Sequence, residues 1–334
     1  MTAMEALRGG MTKVGKAPAI LACVFIATLV ATLPFSILMR DSIASHLGNS
    51  MAAVEAARGL NYQWLAEYRA QAGEIGKTLS GTVIGFAAVL DNLSTLVDSE
   101  DRPPSILWLG AAYLLLWLFL AGGILDRYAR NRPTRSYEFF SACGVYFGRF
   151  LRLAPIIAAT YYALFAVVHP ILFKQIYGSL TRDVTVERTA FFYRLALYLI
   201  FGGLLVAANV TFDYAKVRAV VEDRRSMIGA LTASARFIRR NFSAVAALYV
   251  TNGLIFLTVL IIYAFVAPGM GRTATSVWLG FVVSQLYLLA RLWARLVFAA
   301  SEVALFQGRL AHTGYVASAP VRLPEPPIVE QVVG

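Results

Sequence analysis

The chain has 334 residues, 58% of them hydrophobic and 15% charged, with a mean hydropathy of +0.64. A soluble domain carries nearer a quarter charged residues, whereas here the apolar residues gather into blocks of about 20, enough for an α-helix to cross a hydrocarbon core of about 30 Å. The net charge of +11 sits in short segments between those blocks, which points to membrane orientation and anionic headgroups and away from nucleic acid.

The first apolar block runs from Ala17 to Met39, with Lys13 and Lys16 before it and Arg40 after it. It is long for the core of a signal peptide and no small-x-small cleavage site follows, so it reads as a retained signal-anchor. Pro34 near its far end is expected to kink the helix. Residues 40–103 form the longest polar segment, helix-friendly in composition. Within it Val83, Phe86, Ala87, Leu90 and Val97 fall at helical spacing, but Asp91 and Asn92 interrupt the stretch. Residues 82–97 are therefore expected to lie as an amphipathic helix on the bundle or at the interface. Further spans are predicted at Pro104–Leu125, Leu153–Phe173, Ala190–Asn209, Ala244–Ala267 and Ser276–Leu296. Residues 104–308 thus hold a five-helix remainder of the bundle, and 309–334, with Pro320, Pro324, Pro326 and Pro327, are expected to be a disordered tail.

Charge orients these spans. Residues 1–16 carry three Lys/Arg against one acid, 126–152 six against two, and 213–240 seven against three, while 40–102 carry five against eight acids. Basic residues tend to stay on the cytoplasmic side. The N-terminus, 126–152, 213–240 and the tail are therefore expected in the cytoplasm, and 40–103 outside. The fold class predicted is all-α and polytopic: six transmembrane helices, amphipathic interfacial helices and a helical extracytoplasmic segment, in a bacterial-type inner membrane. A seventh span at 82–97 would break the alternation of charge.

Ionisable groups inside lipid are costly, so they are the first candidates for function. Arg291 and Arg295 lie four residues apart on one face of the last span, and Asp213 and Asn209 sit at the inner end of the fourth. Two readings stand for the arginines: snorkelling or an internal ion pair with Asp213 or Glu302, and a site for a substrate or lipid headgroup. His169-Pro170 suggests a kink in the third span, with His169 either a packing residue or a proton-relay group. From Ser226 onward, Ile228, Leu231, Ala235 and Ile238 share one helical side next to Arg236, Arg239 and Arg240, which suits an interfacial helix. Segment 126–152 mixes arginines with aromatics and reads as an interfacial anchor. Gly81-x-x-x-Gly85 and Gly144-x-x-x-Gly148 are spaced for close helix contact. The adjacent acids Glu100-Asp101 and Glu222-Asp223 read as solvated surface. Cys23 and Cys143, the latter in a basic loop, lack the spacing of a disulfide framework or metal site. No phosphate-binding loop, zinc-protease helix or nucleophile elbow is present, and no cofactor is expected.

Gly122-Gly123 leading to Phe139-Phe140 and Phe147-x-Arg149, and a later span running into Asp213-Tyr214-Ala215 and a basic amphipathic helix, carry a resemblance. Over about residues 104–308 the chain is similar to uncharacterised six-helix bacterial integral membrane proteins allied to the glycerophosphodiester phosphodiesterase membrane domain. The resemblance implies the fold. It carries no hydrolytic chemistry, because the catalytic domain of that family has no counterpart here.

The sequence expectation is a non-enzymatic membrane partner or scaffold, in contact with anionic lipids and with room for a protein partner or a second copy. The alternative is a permease-like protein for a small or lipid-like anionic substrate, with Arg291 and Arg295 facing a cavity. A lipid-modifying enzyme ranks last, since no nucleophile–base pair can be named.

Overall fold

The computed structural model describes residues 1–48, 51–58, 61–80, 86–99, 104–267 and 273–310. Gly81, Gly85, Glu100, Asp101, Arg272 and residues 311–334 of the expected disordered tail lie outside the described residues, while Arg309, placed in that tail by the sequence, is the last residue of the final helix. The fold is all-α. In chain order the helices are α1 (Ala3–Gly15), α2 (Pro18–Leu47), α3 (Ala52–Arg58), α4 (Tyr62–Gln71), α5 (Phe86–Asp98), α6 (Pro104–Arg130) and α7 (Ser136–Ala163). Two π-helical stretches, Leu164–Val168 and Ile171–Ile176, carry α7 into α8 (Tyr177–Thr181). Then follow α9 (Glu187–Val221), α10 (Met227–Arg240), α11 (Phe242–Val266) and α12 (Ala274–Arg309).

Six of these are long and apolar enough to cross a membrane: α2, α6, the continuous run 136–181, α9, α11 and α12. The chain is a polytopic membrane protein. Inside lipid a hydroxyl must find its acceptor in its own helix or a neighbour. On α2, Thr28 and Thr32 donate to carbonyls one turn back, at 2.8 Å and 3.0 Å. The π-helical turns bracket His169-Pro170, where proline removes a backbone N–H and the ladder shifts its register.

The densest packing lies at the arginine-rich end. A 36-residue α12 is about 54 Å long and overshoots a core of about 30 Å. Its excess joins the ends of α6 and α9, the start of α7, and α1 and α10, around the wholly buried Tyr128, Phe150, Tyr214, Leu305 and Phe306. Segment 126–152 is thus two helix ends joined by a short turn. Of its aromatics Tyr128, Phe139, Tyr146 and Phe150 are buried in the bundle end, while Tyr137 and Phe140 remain exposed. Cys143 is likewise buried on α7 and not in a loop. Glycine explains the α6–α7 approach. A Cβ on Gly122 would stand 2.8 Å from Tyr146 Cβ, and one on Gly123 would stand 2.5 Å from Cys143 Sγ and 2.8 Å from the Phe139 carbonyl. Gly144 and Gly148 face open space, so the spacing read as a contact motif on α7 makes none.

The N-terminal residues also fold into this end. Thr2 and Glu5 form a reciprocal cap on α1, with Thr2 N–H donating to Glu5 Oε2 at 2.9 Å. The helix runs antiparallel to α12: Gly9 lies beside Ala304, Gly10 beside Ser301, and Met1 beside Gly308. A Cβ on Gly10 would meet Ser301 Oγ at 2.2 Å, so the two backbones nearly touch. Because α1 precedes the first span and this part of α12 follows the last, both belong to one end of the bundle. That arrangement fits an even number of crossings.

On α10 the face turned to the protein is Met227, Ala230, Ala233, Ser234 and Phe237. Ile228 and Ala235, read from the sequence as part of the apolar side, are exposed. The protein-facing stripe is smaller and more polar, because α10 docks by hydrogen bonds. Ser234 Oγ donates to Thr211 O at 3.1 Å, and Arg218 donates to Ala233 O at 3.0 Å. Glu222 and Asp223 are not merely solvated: Arg218 and Arg224 hold Glu222, and Arg149 reaches Asp223 at 2.6 Å, closing the α9–α10 turn.

At the opposite end, α4 folds back on α2. Wholly buried Tyr68 bonds Ser42 at 2.8 Å, and Trp64 Nε1 donates to His46 Nδ1 at 3.2 Å. The stretch read as an interfacial helix falls on α5, whose 13 described residues span about 20 Å, while residues 82–85 of it lie outside the described residues. It is held at its C-terminal end by His169, Tyr198 and Arg194, and it keeps Leu90, Leu93 and Leu96 exposed.

Candidate functional site

Where the spans enter the dense end, polar side chains from three helices converge. On α9, Asn209, Asp213 and Lys216 follow at intervals of four and three and so share one face. Asn209 Nδ2 donates to Asp213 Oδ2 at 2.9 Å, and Lys216 Nζ pairs with Asp213 Oδ1 at 2.5 Å. From α11, the Tyr249 hydroxyl lies 3.4 Å from Asp213 Oδ2 and bonds Glu302 of α12. Glu302 is 3% exposed, and Tyr249 is its only hydrogen-bond partner among the described residues. The Tyr249 ring packs edge-on against Phe298, centroids 4.5 Å apart.

The face of α12 that ends in Glu302 begins with arginine. Residues 291, 295, 298 and 302 repeat every three or four positions and form one stripe. Counted from Ser276, Arg291 lies about 22 Å and Arg295 about 28 Å along the helix, near the end of a hydrocarbon core of about 30 Å. Both are accessible at the protein surface. Arg295 nonetheless lies deep among protein atoms: its guanidinium stacks on Trp117 of α6, 3.6 Å from the ring centroid, faces the Tyr113 hydroxyl and is within Coulombic reach of Asp213. Arg291 sits over Phe256 of α11 at 6.0 Å. Arg295 thus lies against α6 and Arg291 against α11, and both residues keep access to the protein surface.

Neither arginine forms a salt bridge among the described residues. The pairing of Arg291 or Arg295 with Asp213 or Glu302, one of the sequence readings, is replaced by Lys216 for Asp213 and Tyr249 for Glu302. Lys216 lies one turn from Asp213, close enough to neutralise it before a residue of another helix can. The arginines keep their forked donors and lean on aromatic faces, a stacking available to guanidinium at modest desolvation cost.

The structure brings Asn209 and Asp213 together, sets Arg295 near them, and leaves His169 apart. His169 Nε2 lies 3.0 Å from the Val97 carbonyl of α5, and its ring packs on Phe173 and Phe201 at 4.5 Å and 5.2 Å. That is a packing environment in which His169 ties α5 to the bundle. Sequence reasoning did not single out Lys216 or Tyr249. Lys216 was legible as the i+3 neighbour of Asp213, whereas nothing in the pattern of α11 marked Tyr249 as a link between acids on two other helices. No group of three or more His, Cys, Asp or Glu side chains among the described residues is placed to hold a metal. No protein-family model matches the chain, and comparisons with curated proteins and with solved structures find no match.

Proposed function

We propose that this protein is a permease-like carrier of a small or lipid-like anion, with Arg291 and Arg295 as the groups that hold the negative charge. One observation carries the reading: two guanidinium groups stand accessible at the end of the membrane core with no carboxylate partner among the described residues, while both nearby acids are engaged elsewhere. An unpaired cation at this depth is costly unless water or an anion meets it. The aromatic backing of Trp117 and Phe256 suits an amphiphile with a phosphate head, because stacking leaves the N–H edges free to bond its oxygens. The scaffold expectation rested on the lack of a reaction site, the outer segment and the basic amphipathic inner segments; an internal arginine–aspartate bridge would have favoured it further, and none forms among the described residues. The setting proposed is a bacterial-type inner membrane with the basic end in the cytoplasm, on the charge asymmetry of the spans.

Proteoliposomes test this with two probes, fluorescently tagged phosphatidylglycerol and radiolabelled inorganic phosphate. At least one should cross faster than in protein-free vesicles, and the Arg291→Ala/Arg295→Ala variant should lose the excess while inserting normally. Equal rates for the parent and the double variant with both probes would contradict the proposal.

A further inference from the structure

A second cationic cluster lies at the dense end of the bundle, on other residues than Arg291 and Arg295. Arg127, on the last turn of α6, is only 6% exposed, yet it has no hydrogen-bond acceptor and no carboxylate partner among the described residues. Lys13 of α1 is partly buried and within Coulombic reach of Arg127. Its ammonium donates to Gln307 Oε1 at 3.3 Å, and Gln307 Nε2 donates to the Ala129 carbonyl at 2.9 Å, so α1, α12 and α6 are joined here.

The charged groups nearby do not answer these cations. Asp126 is taken by Arg130 at 2.8 Å, Glu302 by Tyr249, and Glu5 by the cap at the far end of α1. Arg8, Lys16 and Arg309 add positive charge on the same elements. Two like charges crowded together, with no counter-charge among the described residues, are costly. An anion would remove that cost. The chemistry favours a phosphate group, whose several oxygens can accept from the guanidinium fork and from a compact ammonium at once. Lys13 precedes Pro18, the start of the first span, by five residues across the break between α1 and α2, which places it near headgroup depth.

We propose that Lys13 and Arg127 form a binding site for a phosphate-bearing anion, lipid headgroup or free phosphate, that locks α1 onto the ends of α6 and α12. This site stands independently of the carrier reading.

Thermal unfolding of the full chain in a neutral detergent tests it, with inorganic phosphate added in one arm and phosphatidylglycerol in the other. The Tm should rise by on the order of 5 °C at a hundredfold excess over Kd. The rise should vanish in Lys13→Met and in Arg127→Gln, and persist in Arg291→Ala/Arg295→Ala. Lys13→Arg should keep it, which guards against reading a misfolded Arg127→Gln. A rise with phosphate alone identifies a free anion as sufficient, and a rise with the lipid alone identifies the headgroup. No rise in the parent, or an equal rise in Lys13→Met, overturns the site. A rise that appears only in Glu325→Gln/Glu330→Gln also overturns it, because the chain's own carboxylates would then be the counter-charge.

Discussion

The Tyr249 hydroxyl connects Glu302 of α12 with Asp213 of α9, so one residue of α11 links acids on two other spans. The relationship fixes which carboxylates remain for the arginines above them: none of those described. Tyr249→Phe should therefore keep the edge-on packing with Phe298 and still orphan a buried carboxyl. The expected loss is about 1–3 kcal/mol of stability, seen as a lower Tm in detergent with an unchanged helical spectrum. A Tm equal to the parent's would mean that the hydroxyl contributes nothing.

The α6–α7 seam predicts a contrast between glycines. Gly123→Ala places a methyl against Cys143 Sγ and the Phe139 carbonyl, and it should cost about 1–3 kcal/mol. Gly144→Ala faces open space and should be neutral or slightly stabilising, since alanine favours helix. Thermal denaturation of the two variants side by side decides it, and equal effects would mean the seam is looser than described.

That contrast shows how far the sequence could be read. The six spans follow from block length alone, because lipid forces each crossing to close its own backbone hydrogen bonds. The dense basic end was less legible. Its helices mix arginine with aromatics, and whether Phe139 or Phe140 turns inward depends on Gly122 and Gly123 of another helix. Arg291, Arg295, Asp213 and Asn209 stood out because charge in an apolar block is conspicuous. Their partners did not: the choice of Lys216 over arginine for Asp213 rests on one helical turn, and Tyr249 reads as an ordinary aromatic until the fold sets it between two acids. His169 stood out for the same reason as the arginines, yet the fold uses it to fasten α5.

Lys13 predicts a dependence on pH in the anion-free protein. Burial, and then the charge of Arg127, lower its folded pKa from 10.5 to about 8. Between about 8 and 10.5 the unfolded chain binds the extra proton, so stability should rise with pH across that window. Below pH 8 the penalty of the buried charge is fully present. Lys13→Met should thus be more stable than the parent at pH 7 and flatter from pH 8 to 10, measured by denaturation in phosphate-free buffer. A parent curve as flat as the variant's would contradict this.

The carrier reading is tested most directly at Trp117, because Arg295 lies on its ring. The protein has five tryptophans, so a version keeping Trp117 alone, the others replaced by phenylalanine, isolates its emission. Titration with dihexanoyl phosphatidylglycerol and, separately, inorganic phosphate should give a saturable change with at least one of them. Arg295→Ala should weaken that binding by about tenfold or more, as losing a charged hydrogen bond of at least about 1.4 kcal/mol requires. A response that never saturates, or that survives unchanged in Arg295→Ala and Arg291→Ala, would contradict the assignment of these arginines to an anion.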